Sequence, residues 1–296
     1  PGYGFMSENA EFARLCEQKG IIFVGPKASV IAGMGDKTQA RDSMRAAGVP
    51  VTPGSDGNLA DLHEAIDVAE TIGYPVMLKA TSGGGGRGIR RCDNADELRK
   101  QFPRVISEAE KAFGSAEVFL EKCIINPRHI EVQILADSQG NTIHLYERDC
   151  SIQRRNQKLI EIAPSPQLTP EQREHIGQLA VKAAQAVGYE NAGTVEFLLS
   201  GDDFYFMEMN TRVQVEHTIT EQITGVDIVR EQFRIAAGLP LSYAQKDISI
   251  RGFAMQFRIN AEDPKNDFLP SFGRITHYYA PGGPGVRVDT AIYTGY

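Results

Sequence analysis

Two glutamates, Glu196 and Glu208, lie in neighbouring apolar segments that read as strands joined by the turn Gly201-Asp202-Asp203. If the turn is centred on Asp202, the two glutamates lie directly opposite each other and Asn210 shares their face. Their Cβ atoms would be about 5 Å apart. At an effective dielectric of about 20, the two charges would then repel by about 3 kcal/mol.

A hard divalent cation would offset this repulsion, because such ions prefer oxygen ligands and Asn210 adds a neutral carbonyl oxygen. We therefore predict Mg²⁺ between Glu196 and Glu208, where it would hold nucleotide phosphates. A shared proton and a solvated face with both glutamates in water are the alternatives. A shift of one residue in the register would place the glutamates on opposite faces and remove the basis for the site.

Residues 211–217 follow directly and alternate polar with apolar side chains over most of their length. In extended form, Arg212, Gln214 and Glu216 would continue the face that carries Glu208. This row suits a small planar anion beside a metal-bound phosphate, since Arg212 would bind the anion and Glu216 would take its proton. A ladder of ion pairs on the surface is the alternative.

A glycine-rich loop, Gly83-Gly84-Gly85-Gly86-Arg87-Gly88, follows the predicted strand that ends at Lys79. Glycines allow positive φ and close approach of the backbone to a ligand, and successive N–H groups can surround phosphate oxygens. The pattern is not a Walker A loop, because no Gly-Lys-Ser/Thr follows it. A phosphate loop is therefore predicted, with a flexible surface linker as the alternative.

These groups must be positioned by a mixed set of elements. Apolar periodicity and capping residues predict the helices, and short apolar or alternating runs predict the strands. From about residue 52 onward, the order of the elements favours an α+β fold. The predicted helices are 7–20, 37–47, 59–72, 95–102 and 169–188, and the principal predicted strands are 21–24, 75–79, 118–121, 130–134, 143–145, 195–199 and 204–210.

The composition bounds the function. The chain has 296 residues, 42% hydrophobic and 23% charged, with a net charge of −7. This acidic balance argues against general affinity for nucleic acid, and no run reaches the roughly 18 apolar residues of a membrane helix. The four cysteines lack metal-site spacing, which favours buried thiols in a cytoplasmic protein. The first residues lack an initiator Met and any signal-peptide pattern, so we expect a piece of a longer chain without either end.

Taken together, six motifs resemble those of biotin carboxylases, and the resemblance runs the length of the chain. The motifs are Gly83 to Gly88, Glu121-Lys122, residues 147–155, residues 208–212, residues 214–217 and residues 258–263.

The resemblance implies an ATP-grasp fold of the α+β class, with a mobile lid subdomain and a remnant of an α/β N-terminal domain. The implied parts are the N-terminal remnant and linker (1–51), the lid (52–123), the catalytic subdomain (124–251) and the start of the C-terminal domain (252–296).

The resemblance also assigns ligand-binding roles. Bicarbonate would contact Lys158, Arg212, Gln214 and Val215, with Glu216 as the base, while Arg258 would stabilise the biotin enolate. Two Mg²⁺ or Mn²⁺ ions would lie on Glu196, Glu208 and Asn210. Asn156 stands where many relatives have His. The implied ATP-binding residues are Lys37, Lys79, Gly85, Gly86, Glu121, Lys122, Ile124, His129, Gln153 and Asn156.

The implied activity is carboxylation of biotin on a biotin carboxyl carrier protein, driven by ATP and bicarbonate through carboxyphosphate. The expected partners are that carrier, a carboxyltransferase and a second copy of the chain in a homodimer. The resemblance fits the biotin carboxylase component of an acetyl-CoA or pyruvate carboxylase. Another ATP-grasp ligase, or a truncated nucleotide-binding scaffold without catalysis, remains an alternative.

Overall fold

The computed structural model describes residues 2–81 and 88–296. It divides into two compact units, Pro1–Phe257 and Arg258–Tyr296. The helices are α1 Ala10–Gln18, α2 Ala28–Gly35, α3 Lys37–Ala46, α4 Leu62–Ile72, α5 Ala95–Phe113, α6 Pro170–Ala186, α7 His217–Thr224 and α8 Ile228–Ala236. The strands are β1 Val76–Ala80, β2 Ile89–Cys92, β3 Val118–Lys122, β4 Arg128–Ala136, β5 Thr142–Arg154, β6 Gln157–Ala163, β7 Asn191–Ser200, β8 Asp203–Asn210, β9 Ala254–Phe257, β10 Glu262–Asp263 and β11 Leu269–Pro270.

A six-stranded antiparallel sheet in the order β8-β7-β4-β5-β6-β9 forms the centre of the first unit. Successive side chains of a strand point to opposite faces, and β4 illustrates the result. Ile130, Val132 and Ile134 belong to the main apolar cluster, which also includes residues of α6. Glu131 and Gln133 are also buried but point to the other face. The sheet therefore has one apolar face and one face that carries polar groups.

Helix α6 begins as its sequence predicts. The Thr169 side chain accepts a hydrogen bond from the backbone N–H of Gln172, and the Gln172 side chain accepts one from the backbone N–H of Thr169, which forms a capping box. Pro170 occupies the first turn. The buried residues of the helix, among them Ile176 and Ala183, pack on the apolar face of the sheet. This packing holds the central strands in place.

A separate three-stranded antiparallel sheet, in the order β2-β1-β3, has its own apolar cluster with α4 and α5. Leu78 and Leu120 are fully buried between the sheet and these helices. Here α5 is longer than predicted, because the helix continues through Pro103 to Phe113. Pro103 lies on the exposed side, and Val105 and Ala109 continue the buried stripe beyond it.

The first 25 residues differ from the prediction in two respects. Helix α1 is capped by Asn9 rather than Ser7, whose hydroxyl instead donates to the carbonyl of Gly4. The predicted strand at 21–24 is wrong: in the described part of the chain this segment pairs with no strand, and Ile21 and Ile22 are exposed. A β-rich composition does not make a strand without a partner that supplies hydrogen bonds.

The second unit contains one short antiparallel pair, in which Glu262 faces Pro270 and Asp263 faces Leu269. None of the helices in the described ranges is both long and apolar enough to span a bilayer.

The contact between α6 and β5 gives a stability prediction. A Cβ atom at Gly177 would lie 2.6 Å from the ring of the buried His144. We expect Gly177→Ala to lower the free energy of unfolding by about 1–3 kcal/mol through overpacking, as measured by urea denaturation. Gly33→Ala is the matched helical control, because the three atoms nearest to its Cβ would be Gln39 side-chain atoms at 3.7–3.8 Å. The control should be neutral or slightly stabilising, and equal losses in both variants would contradict the packing argument.

Candidate active site

The polar face of the large sheet carries charged side chains from five adjacent strands, β8, β7, β4, β5 and β6. The backbone register places Glu131 of β4 between Glu196 of β7 and Arg148 of β5, and Glu196 in turn opposite Glu208 of β8. Strand β6 adds Lys158 from the other side of β5. Three of these groups, Glu131, Arg148 and Glu196, are almost completely buried. Such a density of buried charge is tolerated only where opposite charges and hydrogen bonds compensate one another.

The predicted pairing of Glu196 with Glu208 is confirmed, but the hairpin reaches it differently. Ser200 pairs with Asp203, so the turn is centred between Gly201 and Asp202. Continued without interruption, that register would place Met207 opposite Glu196. A bulge between the Phe197–Phe206 and Glu196–Glu208 pairs shifts the register by one residue.

The bulge also explains how Phe206 and Glu208, two residues apart, lie on opposite faces of the sheet. Phe206 belongs to the apolar cluster, and a strictly alternating strand would put Glu208 on that same face. One extra residue lets Phe206 enter the core while Glu208 and Asn210 reach the polar face. The bulge therefore determines where the Glu208 carboxylate lies.

Lys158 is the centre of the buried charge cluster. Its Nζ lies 2.5 Å from Glu131 Oε2, 2.8 Å from Glu196 Oε1 and 2.9 Å from Glu216 Oε1. Burial alone would lower the pKa of the Lys158 ammonium, but the carboxylates, Glu131 first, outweigh burial and raise it. Lys158 is therefore a permanent cation in this site.

Arg148 lies in the motif at residues 147–155 but has no predicted role, and Glu131 is not among the predicted site residues. The carboxylate of Glu131 bridges two cations, with Oε1 2.6 Å from Arg148 Nε and Oε2 bound to Lys158. Burial would raise the pKa of Glu131, but Lys158 and Arg148 hold it well below its usual range. Glu131 lies between Ile130 and Val132 in an alternating strand, and this pattern was the sequence signal that could have identified it. The alternation places its carboxylate on the polar face of the sheet, beside Glu196.

His129 and Gln153, predicted on the ribose side of ATP, lie together at the edge of this cluster. The Nε2 atom of His129 is 2.7 Å from Glu196 Oε2, and its Nδ1 is 2.9 Å from Gln153 Nε2. Burial opposes the charged imidazole, but the Glu196 carboxylate outweighs burial and raises the pKa of His129.

Residues 211–216 do not continue the strand, so the predicted extended row is wrong. Strand β8 ends at Asn210, and the chain turns before α7 begins at His217, whose N–H donates to the carbonyl of Gln214. The turn still brings Gln214 and Glu216 to the cluster: Gln214 Nε2 lies 3.0 Å from Glu196 Oε1, and Glu216 contacts Lys158. Val215 lies between them and is half-buried.

Arg212 lies beside the cluster and is held from the far N-terminal region. Its Nε lies 2.9 Å from Glu8 Oε2, and its Nη2 lies 3.1 Å from Asn210 Oδ1. Asn210 in turn donates from Nδ2 to Glu196 Oε1 at 2.8 Å. The guanidinium is therefore linked to the buried carboxylates through one amide.

A second basic group faces Glu208. Burial lowers the pKa of the Lys37 ammonium, against the effect of Glu208, and the charge of Lys79 lowers it further. Lys79 forms an ion pair with Glu121, which also lies 2.9 Å from Arg41 Nη1. Two lysines thus lie near enough to influence each other, which is an arrangement suited to a polyanion.

The remaining predicted ligand contacts lie on several different elements. Lys122 donates from Nζ to the carbonyls of Gly73 and Tyr74, both at 2.9 Å, and Ile124 follows β3 in a partly exposed loop. Asn156 is exposed at the turn between β5 and β6, with a φ of 62°. Gly85 and Gly86 lie outside the described residues. Arg258 is the first residue of the second unit.

The charges of the two opposed glutamates are not equivalent. Burial raises the pKa of Glu196, but Lys158 and His129 outweigh it and lower the pKa overall. Burial and the neighbouring Glu196 charge raise the pKa of Glu208. Lysine and histidine thus offset much of the repulsion that the sequence analysis assigned to a metal ion, so repulsion alone does not require one. Glu208 remains the less compensated carboxylate.

The chain matches three family models. Residues 36–244 match the carbamoyl-phosphate synthase L chain ATP-binding domain, residues 1–31 the biotin carboxylase N-terminal domain and residues 256–296 the biotin carboxylase C-terminal domain.

Curated relatives match along the entire chain. It is 60% identical to the 2-oxoglutarate carboxylase small subunit of Hydrogenobacter thermophilus, covering 63% of that protein. It is 57% identical both to a pyruvate carboxylase subunit of Methanothermobacter thermautotrophicus, covering 60% of it, and to the biotin carboxylase of Nostoc sp., covering 66% of it. The chain therefore spans less than two thirds of the length of these relatives.

Solved structures agree with the fold along all of the chain. The biotin carboxylase domain dimer of the Hydrogenobacter thermophilus 2-oxoglutarate carboxylase, in complex with MgADP, ADP and bicarbonate, is 60% identical with a TM-score of 0.95, and the chain covers 66% of it. The biotin carboxylase–beta-gamma-ATP complex from Campylobacter jejuni is 49% identical with a TM-score of 0.95 and the same coverage.

Replacing Lys158 with an uncharged residue should leave the negative charges of its neighbouring carboxylates uncompensated. We expect Lys158→Met to lower the free energy of unfolding by about 3–5 kcal/mol at neutral pH, because buried carboxylates lose their shared cation. Their pKa values would then rise on folding, so the deficit should shrink as the pH falls toward about 5. Chemical denaturation at several pH values measures this effect.

Lys182→Met is the control, because that exposed lysine makes one hydrogen bond, to the Gly48 carbonyl at 3.2 Å. It should change the free energy of unfolding by less than about 0.5 kcal/mol. A pH-independent deficit in Lys158→Met would contradict the electrostatic explanation.

Proposed function

Because this chain belongs to the biotin carboxylase family, we propose that it carboxylates biotin on a carrier protein with ATP and bicarbonate as co-substrates. It would act as the biotin carboxylase component of an acetyl-CoA or pyruvate carboxylase. The observation that carries the proposal is the buried cluster in which Lys158 and Gln214 lie beside Glu196 and Glu216. This cluster offers fixed donors to a small anion and a carboxylate beside them to receive its proton.

In the proposed reaction, Lys158, Arg212, Gln214 and the backbone of Val215 bind bicarbonate. Glu216 accepts the proton of bicarbonate, whose oxygen then attacks the γ-phosphorus of ATP as the bond to ADP breaks. The product, carboxyphosphate, decomposes to CO₂ and phosphate. The contact of Glu216 with Lys158 supports the role of Glu216 as the base, because the ammonium fixes the carboxylate beside a proposed bicarbonate ligand.

Phosphate then removes the proton from the biotin ureido nitrogen, and that nitrogen attacks CO₂. Arg258 is proposed to stabilise the biotin enolate, on the strength of the family motif at 258–263. Permanent cations suit this role, because negative charge develops on the ureido oxygen as the proton leaves.

For ATP, we propose that Lys37 and Lys79 pair with the phosphates. The lowered pKa of Lys37, caused by burial and by Lys79, supports this role, because a phosphate chain would restore the charge balance around both ammonium groups. Gly85 and Gly86 would cover the phosphates. We assign Glu121, Lys122 and Ile124 to adenine and His129 and Gln153 to the ribose side. Asn156 would make a polar contact near the nucleotide.

Glu196, Glu208 and Asn210 would hold two Mg²⁺ or Mn²⁺ ions. The oxygen donor set suits hard cations, and the incompletely compensated Glu208 carboxylate supports the assignment. When bound, the ions would neutralise phosphate charge.

The oligomeric state and the protein partners are proposed from the relatives. A related structure is described as a biotin carboxylase domain dimer, and on that basis we propose a homodimer that serves a biotin carboxyl carrier protein and a carboxyltransferase. A cytoplasmic location is also proposed, supported by four cysteines that form no disulfide.

Another ATP-grasp ligase is the second candidate, favoured by the match of residues 36–244 to the carbamoyl-phosphate synthase ATP-binding domain. Bicarbonate-dependent ATP cleavage that free biotin stimulates would support the first proposal. Stimulation by an amino acid or a ribonucleotide instead would favour the second. Nucleotide binding without turnover in the full-length protein would indicate a non-catalytic scaffold.

Glu208→Gln tests the metal assignment. We expect ATP turnover to fall by more than about 100-fold. Stability without metal should be unchanged or higher, because the raised pKa of Glu208 shows that its charge is unfavourable in the folded state. Steady-state kinetics and thermal unfolding with and without Mg²⁺ measure both effects. Glu174→Gln, at an exposed helix position, is the control, and near-normal turnover in Glu208→Gln would refute the assignment.

Arg258→Ala tests the second half-reaction. Carboxylation of biotin should fall far more than bicarbonate-dependent ATP cleavage, because the proposed role concerns only the enolate. The two rates are compared in one preparation by measuring carboxybiotin and ADP. Parallel losses would count against the role.

A further inference from the structure

The Gln214 side chain has a fixed orientation that follows from its buried neighbours. Its Oε1 accepts a hydrogen bond from Arg148 Nη2 at 2.6 Å, and its Nε2 donates to Glu196 Oε1 at 3.0 Å. Arginine has only donors and a carboxylate only acceptors, so a reversed amide would place donor against donor and acceptor against acceptor. The amide of Gln214, 3% exposed, is therefore held with its NH₂ group toward the carboxylate side of the cluster.

Arg148 is itself held from every side and is fully buried, at 0% exposure. Its Nε donates to Glu131 at 2.6 Å. Its Nη1 donates to Gln133 and Thr220, both at 2.9 Å. Its Nη2 donates to Thr194 at 3.2 Å and to Gln214. The five N–H groups of a guanidinium are thus matched by five acceptors, on β4, β7, α7 and the turn before α7.

This saturation makes Arg148 a rigid reference point. A planar guanidinium with all its donors engaged has one orientation, and a lysine cannot reproduce that fork. Through Glu131, the same guanidinium also acts on Lys158, since the carboxylate bridges the two cations. Gln214 and Lys158 are two of the groups assigned above to bicarbonate. The buried Arg148 side chain therefore positions both of them, Gln214 directly and Lys158 through Glu131.

We propose that Arg148 is a positioning residue of the bicarbonate site, which turns the NH₂ group of Gln214 toward the anion and, through Glu131, fixes Lys158. The proposal rests on the proposed function. Its physical basis is that an anion needs donors: a Gln214 amide in the opposite orientation would present its oxygen and repel bicarbonate. Arg148 touches neither substrate nor nucleotide in this proposal and acts only through these two groups.

Arg148→Lys keeps the positive charge near Glu131 but cannot hold Gln214 and Gln133 at once. We expect the KM for bicarbonate to rise by about 10-fold or more, with the KM for ATP changed by less than about 2-fold. A merely structural role would alter both constants or neither. Thr224→Val is the control, because Thr224 is a buried threonine of the same helix that donates to the carbonyl of Thr220 and is not one of the five acceptors of the guanidinium. It should leave the KM for bicarbonate within about 2-fold of wild type.

A double-mutant cycle with Gln214→Ala tests whether Arg148 acts through Gln214. If it does, adding Gln214→Ala to Arg148→Lys should raise the KM for bicarbonate by much less than Gln214→Ala does alone. Independent effects, in which the two fold-changes multiply, would overturn the proposal.

If Arg148→Lys does not fold, Gln214→Glu provides the test. A glutamate at this position still accepts from Arg148 but presents an oxygen to the anion. Its KM for bicarbonate should rise at least as much as that of Gln214→Ala, and a smaller rise would overturn the proposal.

A readout without turnover separates this proposal from the proposed function. The side-chain amide protons of Gln214 can be identified in NMR spectra by their absence in Gln214→Ala. They should exchange with solvent about 10-fold faster than in the wild-type protein in Arg148→Lys, and also in the double variant that combines Arg148→Lys with Glu131→Gln. Unchanged exchange would overturn the positioning role whatever the substrate. Faster exchange in a protein whose ATP cleavage ignores bicarbonate would instead overturn the proposed function and leave the orientation of Gln214 established.

Discussion

The candidate site depends on one ammonium group placed among three carboxylates in the interior of the protein. Lys158 alone would be costly to bury, and so would Glu131, Glu196 or Glu216 alone. Together they compensate one another at distances of 2.5–2.9 Å. Because each charge depends on the others, their positions are coupled, and the groups proposed for anion binding and proton transfer are arranged before any substrate arrives.

The sheet makes this cluster possible by separating its two faces. Strand β4 sends Ile130 and Val132 into the apolar core and Glu131 into the polar cluster. Strand β8 could not do the same by simple alternation, since Phe206 and Glu208 are two residues apart. The bulge between them inserts the residue that changes the face. A local irregularity in one strand is thus what aligns Glu208 with Glu196.

The electrostatic pattern is uneven in a way that suits the proposed reaction. Glu196 is compensated by Lys158 and His129, which lower its pKa, whereas the pKa of Glu208 is raised. Lys37, beside Glu208, has a lowered pKa. The Glu208 carboxylate and the buried Lys37 ammonium are thus both incompletely compensated, so a metal–triphosphate complex would suit both.

The sequence alone identified the family, the α+β ATP-grasp fold and the pairing of Glu196 with Glu208, and all of these are confirmed. The family and the fold were predicted from six short motifs, which a sequence displays directly. The Glu196–Glu208 pairing was predicted correctly although the turn is not centred on Asp202, because the bulge in β8 shifts the register by one residue. Only the tertiary structure decided that residues 211–216 turn rather than extend, that 21–24 form no strand and that Glu131 and Arg148 join the site. Those outcomes depend on which distant segments become neighbours, since Arg148 and Gln214 are 66 positions apart in the sequence. The hydrogen bonds of a buried guanidinium form only when folding removes the guanidinium and all its acceptors from water together.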